Sequence, residues 1–156
     1  MKAPTCCLIA ALLLTPMAQA GAANPHQHGS GAVTMTRNAG QLWATDAPLR
    51  QGMNAIHSAT AALMAQGAQA SKADYDAFSR QVTTQVGYII NNCKLSPDAD
   101  AQLHVAIASI LAGADVAAGK HKGVAREAGV RQVAQALNAY GAVFDHPQWK
   151  ALAVPH

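Results

Sequence analysis

The sequence predicts an all-α fold, an antiparallel up-down-up-down four-helix bundle. Apolar residues recur at alternating three- and four-residue steps in four successive stretches, the period of helices with one buried face. Capping signals open the first three stretches. Aromatic residues make up 4% and charged residues 12% of a chain rich in alanine, a composition that suits close-packed helices better than a β-sandwich.

Residues 1–20 read as a secretory signal peptide. Lys2 supplies a positive start, Cys6 to Leu14 form a short apolar core, and Ala18-Gln19-Ala20 gives a small-x-small cleavage site. That core is shorter than the roughly 20 apolar residues of a membrane span, and no later segment predicts an anchor. The expected destination is a bacterial periplasm. Residues 21–40 read as a flexible lead broken by Pro25, Gly29 and Gly31, with His26 and His28 inside it, a pair able to capture metal weakly or without a role. Residues 41–156 form the bundle.

The first helix enters at Thr45-Asp46-Ala47-Pro48, where Thr45 or Asp46 can cap and proline fits the first turn. Its inward stripe is Leu49, Met53, Ile56, Thr60 and Leu63, and Gly67 ends it. Ser71-Lys72-Ala73-Asp74 is close to a capping box. It opens a second helix with the stripe Tyr75, Phe78, Val82, Val86, Ile89 and Cys93. Ser96-Pro97-Asp98 opens the third, with an expected stripe of His104, Ile107, Leu111 and Ala114 flanked by Leu103 and Ile110. A turn at Gly119 to Gly123 leads to the fourth, with Val130, Val133, Leu137, Tyr140 and Phe144 facing inward and Pro147 stopping it. Short links make antiparallel neighbours the simplest packing.

Cleavage after Ala20 removes Cys6 and Cys7 and leaves Cys93 as the one thiol of an exported chain. An unpaired cysteine there points to a reactive thiol, a partner chain or a metal. In an up-down-up-down bundle, the start of helix one, the end of helix two and the start of helix three share one end. Met53 lies roughly 9 Å, and His104 roughly 10 Å, from the starts of their helices at the α-helical rise. His57 is one turn beyond Met53. The topology therefore predicts a metal site of Met53, His57, Cys93 and His104, with Asn92 or Asn54 hydrogen-bonding behind the ligands. His146 and Trp149 are expected to cover the same end, with His146 as a further imidazole.

A thiolate, a thioether and imidazoles are soft ligands that favour copper, as Cu(I) or Cu(II), with one ion expected per chain. Zinc rarely takes a thioether. Calcium and magnesium require converging carboxylates that the sequence lacks. There is no basic stripe or aromatic platform for nucleic acid. No nucleophile-base-acid pattern or phosphate loop is evident, so an enzyme is not expected. The expected partners are the ion itself and other periplasmic copper proteins.

The runs Trp43 to Met53, Tyr88 to Leu95 and Ala139 to Pro147 resemble segments of small exported bacterial four-helix proteins. That resemblance implies an association with copper handling. The architecture is also similar to soluble four-helix cytochromes, which hold haem b between a methionine on helix one and a histidine on helix four. Met53 matches the first of these in outline. Tyr140 and Gly141 stand where the histidine would be, and no C-x-x-C-H motif allows covalent haem. Non-covalent haem b and a metal-free adaptor bundle are the alternative readings.

Overall fold

The computed structural model describes residues 34–154. The signal peptide and the His26 and His28 pair lie outside the described residues. Four helices follow in order: α1 (Ala47–Gln66), α2 (Lys72–Asn92), α3 (Pro97–Ala117) and α4 (Arg126–Val143). Each packs on its neighbours in sequence, and α4 returns to α1, which closes a four-helix bundle. Among the described residues, no helix is long and apolar enough to cross a membrane.

The starts are set by local chemistry. Asp46 caps α1 by accepting from Leu49 N–H at 2.9 Å, with Pro48 in the first turn. Ser71 and Asp74 complete a reciprocal capping box on α2. Ser96 accepts from Ala99 N–H to open α3. These bonds satisfy N–H groups that the first helical turn leaves without partners. Gly67, at a φ of 53°, ends α1 in a conformation that favours glycine, and a short 3-10 turn follows it.

The inward stripes of α1 and α4 are those the sequence predicts, and Phe78, Val82, Val86 and Ile89 supply that of α2. Tyr75 and Cys93 only border the core. On α3 the expected stripe is corrected. Leu103, Ala106, Ile107, Ile110 and Ala114 are buried, whereas His104 is exposed and Leu111 half-buried. This helix is apolar around most of its circumference, so hydrophobicity left its rotation open. Small residues then decided it. Gly113 and Gly129 let α3 and α4 approach so closely that a Cβ on Gly113 would lie 2.7 Å from the Gly129 carbonyl oxygen.

Residues 34–43 lie along the bundle. Thr36 N–H donates to Gln102 Oε1 at 2.8 Å, Arg37 Nε donates to the Ala142 carbonyl at 2.9 Å, and Trp43 Nε1 donates to the Thr36 carbonyl. Trp43 also forms a short parallel bridge with Phe144. The lead expected to stay flexible as far as residue 40 is tied to the bundle at Thr36 and Arg37, through the Thr36 N–H on α3 and the Arg37 side chain on α4.

Candidate metal centre

Cys93 is the residue at which α2 ends. Its N–H closes on the Ile89 carbonyl at 2.9 Å, and its side chain is half-buried. Asp46 fixes this end. While one carboxylate oxygen caps α1, the other accepts from Lys94 N–H at 2.6 Å. The end of α2 is thereby tied to the start of α1. Burial, then the negative charges of Asp46 and Asp100, push the Cys93 thiol up from its ordinary value. A thiolate at this position is costly without a cation.

His104 lies one turn into α3 beyond Asp100 and projects outward, with its side chain 68% exposed. Its Nδ1–H donates to the Asp100 carbonyl at 2.9 Å, and the Asp100 carboxylate is 3.4 Å away. In the neutral ring this leaves Nε2 bare. His57, half-buried on α1, donates from Nε2 to the Lys150 carbonyl at 2.8 Å, which leaves Nδ1 bare in its neutral form. Donation of one ring N–H to a backbone carbonyl is the usual way a metal-ligating imidazole is oriented. Met53 is fully buried in the core.

The structure does not join these residues into one ready-made centre. Among the described residues, no group of three or more His, Cys, Asp and Glu side chains is placed to hold a metal ion. The four residues instead fall in two regions of the bundle. Cys93 and His104 both have Asp100 as a neighbour, at the junction of α2 and α3. Met53 and His57 belong to α1, where His57 faces the C-terminal tail. The outward rotation of α3 is the physical reason, since it carries His104 away from the core. Asn92 is taken up by its own helix, donating to the Tyr88 carbonyl, and Asn54 is exposed.

The C-terminal tail builds a second feature of this part of the molecule. His146 is buried beyond the end of α4, and its Nδ1 is 3.0 Å from the Tyr140 hydroxyl. Trp149 packs between the two histidines, with ring centroids 4.8 Å from His57 and 4.6 Å from His146. Gly141 makes room for it, since a Cβ there would collide with the indole. Asn138 then holds Leu152 through its carbonyl and N–H, at 2.9 and 2.7 Å. The sequence marked Pro147 as a stop and His146 and Trp149 as a cover, but no periodicity signals the Tyr140–His146 bond beyond a helix end.

The interior leaves Met53 no open face. Met53, Leu49, Tyr140 and Phe144 are all buried in one packed cluster, and Tyr140 stacks on Phe144 at 4.8 Å. A haem beside Met53 would have to displace these side chains, so the residues present do not fit that group. No family model, curated protein or solved structure matches the chain.

Proposed function

We propose that the chain is an exported copper-binding four-helix bundle, acting in the periplasm in copper tolerance, transport or electron transfer. The ion is anchored at the junction of α2 and α3 by the Cys93 thiolate and by Nε2 of His104. His57 on α1 is a ligand held in reserve, reached by movement of the tail that it now holds, whereas Met53 joins the ion only on opening of the core that buries it.

The observation that carries this reading is the position of Asp100. Its carboxylate raises the Cys93 thiol, and its carbonyl orients the His104 ring. A soft cation there offsets the negative charge that opposes thiolate formation, and it meets an imidazole whose bare nitrogen is already defined. Thiolate and imidazole together suit Cu(I), which is stable with few ligands.

The mature chain is to be loaded separately with Cu(I), Cu(II), Zn(II) and haem, reading stoichiometry and absorption. One copper per chain, lost in Cys93→Ser and weakened in His104→Gln, supports the proposal. Copper binding that survives both substitutions and disappears when His26 and His28 are replaced places the ion on the N-terminal segment instead. Failure to bind any of these leaves a metal-free helical bundle.

A further inference from the structure

We propose that Tyr140, His146 and Trp149 form a one-electron redox relay in which a hole enters at Trp149 and comes to rest on Tyr140, whose phenolic proton moves to His146. The relay is independent of the metal reading, because it needs only these three side chains and an outer-sphere one-electron oxidant of the metal polypyridyl class at the surface.

The first support is the Tyr140–His146 pair. An oxidised phenol is a strong acid, so tyrosine gives up an electron readily only where a base stands ready for its proton. Tyr140 is fully buried and His146 nearly so, which leaves Nδ1 of His146, at 3.0 Å from the hydroxyl, as the acceptor. Burial pushes the phenol far above its ordinary value, so proton loss without oxidation is closed. Burial, then the neighbouring Arg50 guanidinium and the His57 ring, push His146 below the ordinary histidine range. With its proton on Nε2, the neutral imidazole presents Nδ1 as the acceptor for the phenolic O–H.

The second support is the position of Trp149. Its ring lies 5.1 Å from that of Tyr140, centroid to centroid, and 4.8 Å from that of half-buried His57. It thus links the dry phenol to the partly exposed edge of the tail. Its Nε1–H is buried and has no hydrogen-bond partner among the described residues. An oxidised Trp149 has no base to take its proton and stays a radical cation, the more oxidising form. Tyr140 has such a base. The hole therefore runs from Trp149 to Tyr140.

The step balances. A one-electron oxidant gains an electron from Trp149 and is reduced. The indole cation takes an electron from Tyr140 as the O–H proton passes to His146. What remains is a neutral phenoxyl radical, an imidazolium and an intact indole. Return of one electron restores the O–H bond.

The test is flash-quench oxidation of the metal-free mature chain carrying Cys93→Ser, with a photo-oxidised ruthenium polypyridyl as the oxidant. Transient absorption and electron paramagnetic resonance read the radicals. An indole cation that decays into a phenoxyl radical, more slowly in deuterium oxide, is the expected course. Tyr140→Phe is expected to leave the indole cation long-lived, and His146→Gln to slow phenoxyl formation by at least about tenfold. A phenoxyl signal unchanged in Tyr140→Phe assigns it to Tyr75 or Tyr88 and overturns the proposal. Absence of a deuterium effect in the unsubstituted pair overturns the proton step, and this reading stands even where His146→Gln fails to fold.

Discussion

Asp46 bonds at once to Leu49 N–H of its own helix and to Lys94 N–H beyond the end of α2. One carboxylate thus caps α1 and anchors the segment that carries Cys93. Replacement by alanine removes both bonds. The expected loss is about 2 kcal/mol, from a cap worth about 1 and a charged hydrogen bond of similar size. Urea unfolding of Asp46→Ala checks it.

Asp46→Asn separates charge from shape. The amide oxygen can still accept one of the two backbone bonds, but the negative charge is gone. The Cys93 thiol, which burial and this charge raise, is expected to shift downward. The rate of thiol alkylation against pH reads the shift directly.

Glycines at the helix contacts act in opposite directions. Gly129→Ala would drive a methyl group into the backbone of α3, with an expected cost of about 2 kcal/mol or more. Gly87 lies within α2 with open space around it. Gly87→Ala is expected to stabilise the chain by about 0.5–1 kcal/mol through helix propensity. Denaturant midpoints of the two variants should lie on either side of the parent.

His146 sets a pH dependence of stability. Its pKa is lowered in the folded chain, so the unfolded chain binds the proton more readily. Its contribution is complete above the ordinary histidine value of about 6.5 and is lost as pH falls from there through the lowered value. Stability should therefore decline on acidification through this window. The decline should be shallower in His146→Gln, measured by thermal unfolding across the same range.

The indole of Trp149 occupies space that Gly141 leaves open. Gly141→Ala is expected to expel it and to release the tail from His57. Steady-state fluorescence in a Trp43→Phe background should red-shift, while far-ultraviolet circular dichroism keeps its helical signal.

Much of this fold was legible because caps and stripes are local. Asp46, Ser71 and Ser96 announced their helices, and α1 and α4 showed one apolar face against a polar one. The face of α3 was not legible. Leu103, His104, Ile107, Ile110 and Leu111 surround much of the helix, and the close approach of Gly113 to Gly129 decided which of them turned inward. The candidate site depended on that rotation. Placing Cys93 at the end of α2 needed only a helix boundary, whereas placing His104 needed an angle that hydrophobicity did not encode. The buried pairing of His146 with Tyr140 arises from a turn beyond the last helix, where no period operates.

The most direct measurement of the central claim is a competitive Cu(I) titration of the chain from residue 21 onward, with and without Cys93→Ser. One ion per chain in the parent, and an affinity at least about a hundredfold weaker in the variant, is the expected result. Equal Cu(I) affinity in the two proteins, or no binding by the parent, would contradict it.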